Sequence, residues 1–204
     1  TVKKGVQIEF YDHTNLVVHG TLKLEGTQDY PISLSAQNEF WGNVYLENAQ
    51  DTVEFHYVNI ENAHRGYQDG ESAIASFGSN LVVSHCSITN SRQPIYTQGG
   101  NVLIEHSLFH MDMVGDLINI TKTNEAQVLN CEFRGNREQD TDAIDYDGVT
   151  NGVIKGNWIY GFRGYNSDGI DLGESSKNIL IEDNEIYYCS DKGISVGQAS
   201  TAVI

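Results

Sequence analysis

NSDGIDLGESSKNILIEDNEIYYCSDKGISVG, residues Asn166 to Gly197, contains one pattern twice. Asp168-Gly169-Ile170-Asp171-Leu172-Gly173 returns as Lys192-Gly193-Ile194-Ser195-Val196-Gly197, with the apolar run Ile179-Leu180-Ile181 between the copies. A unit that comes back at this interval is one turn of a repeating fold and the start of the next.

Outward from that stretch, the segments LVVSHCSI after Asn80, VLIEHSLF after Asn101, AQVLNCEF after Glu125, GVIKGNWI after Asn151 and ILIEDNEI after Asn178 align without gaps. A looser copy starts at Thr52 and a further one at Thr201, so successive starts lie 28, 21, 24, 26, 27 and 23 residues apart. Apolar residues alternate with others at the second and fourth positions, as in Val102 and Ile104, which is the period of a strand with one face on a core. The sixth position holds Asn130, Gly156 or Asp183, residues that tolerate a left-handed backbone, so the chain turns there; His85 and His106 are read as turn residues in the same column. A small or amide column (Cys86, Ser107, Cys131, Asn157, Asn184) and a large apolar one (Ile88, Phe109, Phe133, Ile159, Ile186) then follow. A second strand in each unit carries a recurring isoleucine: Ile74, Ile95, Ile118, Ile144, Ile170, Ile194.

Columns of like residues are what stacked parallel coils require, and hairpins of a sandwich do not produce them. The expected fold is all-β, a right-handed single-stranded parallel β-helix of about seven to eight coils, with residues 1–204 as one domain. Because the chain opens inside an alternating pattern and stops within another, it is read as a piece of a longer secreted protein with further domains. Cys86 and Cys131 lie two coils apart in an inward column, too far to bridge, and are read as packing residues. Lys and Arg total 12 against 28 Asp and Glu, a net charge of −16 that repels nucleic acid and anionic membrane. No apolar run approaches the ~18 residues of a membrane span.

The chain resembles the right-handed parallel β-helix proteins of the pectate-lyase-like superfamily over nearly its whole length. Its opening, Gly20-Thr-Leu-Lys-Leu-Glu-Gly26-Thr27 with Pro31-Ile32 and then Trp41-Gly42-Asn43-Val44, is similar to the first coil of many secreted bacterial members. That resemblance implies an extracellular or cell-surface setting. It does not select an activity, since lyases, hydrolases, epimerases and adhesins share the fold.

Aligning the second strands brings the acids into two columns, Asp116, Asp142, Asp168, Lys192 and Asn119, Asp145, Asp171, Ser195. Two carboxylates one coil apart, at ~4.8 Å and an effective dielectric near 20, repel by roughly 3.5 kcal/mol. A shared proton, a cationic side chain or a bound metal would offset this. The metal candidates are Asp142, Asp145, Asp168, Asp171 and Glu174, with Ca²⁺ as the ion for hard oxygen ligands. The competing reading is that these aspartates cap backbone amides at turns.

Asn166-Ser167-Asp168-Gly169 also resembles the NTDG motif of polygalacturonases, and Asp191-Lys192 stands where that family has paired aspartates. The family's role for Asp168 and Asp191 would be acid and base catalysis, but the Lys192 substitution fits a Ca²⁺-dependent polyuronide lyase better. In such lyases of the superfamily a Lys or Arg removes the C5 proton, which here would be Lys192, aided by Arg163. The alternative is Lys192 as counter-ion to the acids. Tyr146, Trp158 and Tyr165, with Tyr96 and Tyr160 nearby, are the aromatic candidates for stacking on sugar. Two functions are therefore carried forward: a Ca²⁺-stabilised module whose acidic face binds glycan or protein, and a lyase or hydrolase acting on acidic polysaccharide.

Overall fold

The computed structural model describes residues 1–64, 66–69 and 71–204. Among the described residues twenty-five short strands, each two to five residues long, form three sheets in which every strand pairs in parallel with its counterpart one coil away. Each coil visits the sheets in turn, so nine strands stack in the first sheet (Val2–Lys3 to Ala202–Val203) and eight each in the second (Gln7–Phe10 to Glu185–Tyr187) and third (Leu16–Val18 to Ile194–Val196). The result is a β-solenoid with the expected columns. Ile60, Ile88, Phe109, Phe133 and Ile159 pair in register along the second sheet, and Ile74, Ile95, Ile118, Ile144 and Ile170 along the third, all fully buried. Burying one such side chain contributes about 1.5–3 kcal/mol, which makes the axial core the main source of stability. Within it Phe109 and Phe133 stack at 5.2 Å.

A left-handed corner joins the first sheet to the second. Tyr57, His85, His106, Asn130, Gly156 and Asp183 all have φ between 47° and 69° there: 51°, 56°, 48°, 52°, 68° and 55°. The two histidines are thus turn residues, as expected. What the repeat template obscured is that the residues after this corner form a sheet of their own, for example Ser87–Thr89 and Trp158–Tyr160, so each coil has three walls rather than two. A complete coil also precedes Gly20, in the strands Val2–Lys3, Gln7–Phe10 and Leu16–Val18.

Just past the corner, the small-residue column ties each coil to the next. Cys86 N–H donates to Ser107 Oγ at 3.0 Å, Cys131 N–H to Asn157 Oδ1 at 2.9 Å, and Asn157 N–H to Asn184 Oδ1 at 3.0 Å. A strand too short to satisfy its corner amide by the ladder alone obtains the acceptor from a side chain one coil away. Cys86 and Cys131 are buried free thiols, each pushed up to about 12 by burial, and so are packing residues.

Candidate functional site

The first acidic column is a capping ladder. Asp116 Oδ1 accepts from Asp142 N–H at 3.2 Å, Asp142 Oδ1 from Asp168 N–H at 2.5 Å, and Asp168 Oδ1 from Lys192 N–H at 2.7 Å. Each carboxylate thus holds the start of the next strand, 24 to 26 residues on. The second column, one sheet face further along, pairs Asn119, Asp145, Asp171 and Ser195 in register. Asn119 Nδ2 bridges the two columns, donating to Asp116 Oδ2 at 3.1 Å and Asp145 Oδ2 at 2.7 Å.

Crowding and partial burial keep protons on this face. Burial, followed by the charges of Asp116, Asp147, Asp171 and Asp142, pushes Asp145 up to about 9. Asp142 is pushed up to about 7, again by burial first and by Asp116 and Asp168 among its neighbours. Burial also raises Asp116 and Asp171, the latter against a hydrogen bond from Ser195. Two remedies for the repulsion are visible in the geometry, backbone amides and the ammonium of Lys192, and the raised carboxyl pKa values add a third, retained protons.

The donor set does not fit a ready-made calcium cage. Ca²⁺ takes six to eight oxygens. Here Asp142 and Asp168 each spend one oxygen on a backbone amide, and Asp145 accepts from Asn119 Nδ2. Among the described residues no three His, Cys, Asp or Glu side chains come together in a metal-holding arrangement. Glu174 is exposed and faces Asp147, whose carboxyl its charge helps to raise after burial, rather than joining Asp142 and Asp168.

A second surface lies on the outside of the second sheet. In Trp158–Tyr160 the central Ile159 points inward, so both rings face solvent; in the neighbouring strand Glu185–Tyr187, Ile186 and Tyr187 repeat the alternation. Tyr160 stacks on Tyr187 with centroids 5.4 Å apart and planes 5° from parallel. Trp158 lies 4.8 Å from Tyr160 and remains 44% exposed. Tyr160 is anchored by its hydroxyl, which donates to Glu132 Oε1 at 2.8 Å, and Arg134 Nε donates to the same oxygen at 2.8 Å. Burial opposes ionisation of Glu132, but these two bonds outweigh it and hold the carboxyl below its usual range.

Beside this platform runs a trough of about 630 Å³ that ends against Trp158. One wall is the left-handed corner, where Tyr57, His85 and His106 stack at 4.6 and 4.9 Å. Its floor presents Asn59, Ser87 and Glu132, polar groups suited to hydroxyls.

Residues 35–203 match the family model described as the right handed beta helix region. The chain belongs to the right-handed β-helix family. No curated protein matches it.

On this β-helix the residues chosen from sequence are distributed over separate places. Asp142, Asp168, Lys192 and Asp191 are brought together: Lys192 Nζ contacts Asp191 Oδ2 and lies 3.6 Å from Asp168 Oδ2. Those partners, the Asp191 hydrogen bond first, raise the Lys192 pKa, so its side chain is an ammonium at neutral pH. Arg163 is elsewhere, its guanidinium 4.9 Å from the centre of the Tyr188 ring. Trp158 is on the aromatic platform. Tyr165 is 85% exposed on the loop that follows, joined to the coil through its carbonyl, which accepts from Asp140 N–H at 2.8 Å.

Tyr146 requires correction as a sugar contact. It is fully buried, in register with Ile120 and Leu172, and Gly152 leaves the space its ring fills. The alternation that sends Ile144 in and Asp145 out sends Tyr146 in again. The same alternation was the available signal for Tyr187, which sequence reasoning did not select.

Proposed function

We propose that this β-helix is a non-catalytic glycan-binding module whose binding face is the aromatic platform of the second sheet and the adjoining trough. The observation that carries the proposal is the Trp158, Tyr160 and Tyr187 group: three rings on the outer face of two neighbouring strands, with Trp158 44% exposed. A flat aromatic surface stacks on the C–H face of a sugar, and the polar trough beside it supplies hydrogen-bond partners for hydroxyls. The acidic face, which the sequence suggested as the binding surface, is assigned instead to holding coils together. An extracellular setting, where such polymers are met, belongs to the same proposal.

Catalysis is not assigned. A lyase base must accept a proton, and the environment of Lys192 favours its charged form, which speaks against that role. Calcium has no part in the proposal: Asp116, Asp142 and Asp168 each give one oxygen to a backbone amide of the next coil, and the acids are not gathered into one cage among the described residues.

The test is titration of the protein with soluble neutral polysaccharides, hydroxyethylcellulose and dextran among them, followed by tryptophan fluorescence and calorimetry. Binding should perturb Trp158 emission, and the Trp158→Ala/Tyr187→Ala variant should bind about tenfold or more weakly, as expected for losing two stacking partners. Equal affinity of that variant and the parent protein would refute the platform.

A further inference from the structure

We infer that Arg137, Arg163 and Tyr188 form an anion subsite at the edge of the platform, taking a carboxylate or sulfate ester borne by the bound glycan. This inference rests on the glycan reading above and deepens it to a charge class. The two arginines follow the second sheet in neighbouring coils, and Arg163 N–H donates to Asn136 O at 2.8 Å, which sets the loops one rung apart. Asn136 in turn fastens its loop, donating through Nδ2 to Met111 O at 2.9 Å and Met113 O at 3.0 Å, and accepting from Glu138 N–H at 2.9 Å.

Among the described residues neither guanidinium group has a carboxylate partner. In a chain of net charge −16, the arginine–carboxylate pairs among the described residues are Arg92 with Glu71 and Arg134 with Glu132. Arg137 and Arg163 instead line two adjoining depressions. The first, about 490 Å³, is shared with Tyr160 of the platform; Asp112 and Glu138 also border it, without pairing to either arginine. The second, about 470 Å³, is lined by Arg137, Arg163, Tyr188, Cys189 and Ser190 and contains no carboxylate. Arginine's planar fork suits bidentate recognition of carboxylate or sulfate oxygens, and a protein of this charge would otherwise repel such a ligand.

Tyr188 supplies the independent observation. It is 65% exposed and holds φ at 60°, whereas one coil below the equivalent position is Gly161, at 87°. Its ring makes an edge contact with Tyr187 at 5.1 Å and carries the Arg163 guanidinium over its face, so it links platform and cations in one surface.

Matched polymer pairs test this: hydroxyethylcellulose against carboxymethylcellulose, and dextran against dextran sulfate, titrated at low and high salt. The anionic member of at least one pair should bind about tenfold more tightly at low salt, the responding pair identifying the group, and the advantage should shrink with salt. The exposed-site variant Arg137→Gln/Arg163→Gln should abolish the ratio while retaining the affinity for the neutral member. Equal binding of neutral and anionic members, or a preference unchanged in that variant, overturns the inference. Trp158→Ala/Tyr187→Ala should weaken both members equally and leave the ratio intact. If it affects neither while the arginine variant removes the preference, the platform falls and the anion subsite stands. Failure of all four polymers to bind overturns both.

Discussion

Replacing Asp145 by Asn should make the protein less sensitive to alkali. A carboxyl whose pKa is higher folded than unfolded stabilises the fold while protonated and costs stability as pH rises, because the unfolded chain gives up the proton first. For Asp145 that window runs from the ordinary 3.8 to about 9, and for Asp142 from 3.8 to about 7. Each such group lowers stability by at most about 1.4 kcal/mol per pH unit within its window. Halving that for the solvent reaching this sheet face leaves Asp145 costing about 2 kcal/mol between pH 5 and pH 8. At about 2–4 °C per kcal/mol for a chain of this size, Asp145→Asn should recover about 4–8 °C of Tm at pH 8 relative to pH 5. The amide keeps an oxygen for Asn119 Nδ2, so the change is mainly one of charge. Thermal melts of both proteins at the two pH values, at fixed ionic strength, measure the difference. Parallel pH dependences, or a parent protein more stable at pH 8 than at pH 5, would refute protonation of this face.

Two further outcomes test the amide column and the alternative chemistry. Asn157→Ala removes the acceptor of Cys131 N–H and the donor to Val128 O and Asn184 Oδ1, both 2.9 Å bonds, and should destabilise by about 3 kcal/mol in urea melts; a loss under about 1 kcal/mol would mean the amide column is dispensable. With pectate or alginate, in millimolar Ca²⁺ or in chelator, no unsaturated-uronate absorbance should develop and Tm should agree within about 1 °C. A rise in absorbance that Lys192→Ala abolishes would restore the lyase reading.

The core was legible in sequence because inward isoleucines such as Ile144, Ile170 and Ile194 recur at a fixed place in every unit, and burial on one face imposes that repetition. The second sheet was hidden because most of its strands are three or four residues long and follow the corner closely, so the columns of Asn157 and Ile159 were not assigned a strand of their own. For the acids, sequence placed Asp116, Asp142 and Asp168 in one column correctly. Which atom each carboxylate faces depends on register between coils, and it is the register that puts an amide of the next coil within reach of Oδ1. Tyr146 was misplaced by treating an aromatic beside acids as a surface group instead of extending the alternation by one residue.

The connections between sheets differ in how far their lengths vary. From the strand Val53–His56 onward, one or two residues join the first sheet to the second, whereas five to twelve join the second to the third. The trough and platform therefore stand on a frame of constant geometry, while Arg137, Arg163 and Tyr188 stand on the border where chain length is free to drift. Loops grafted or exchanged along that border should retarget the molecule to differently charged polymers while the stacking surface, and the coils that carry it, keep their shape.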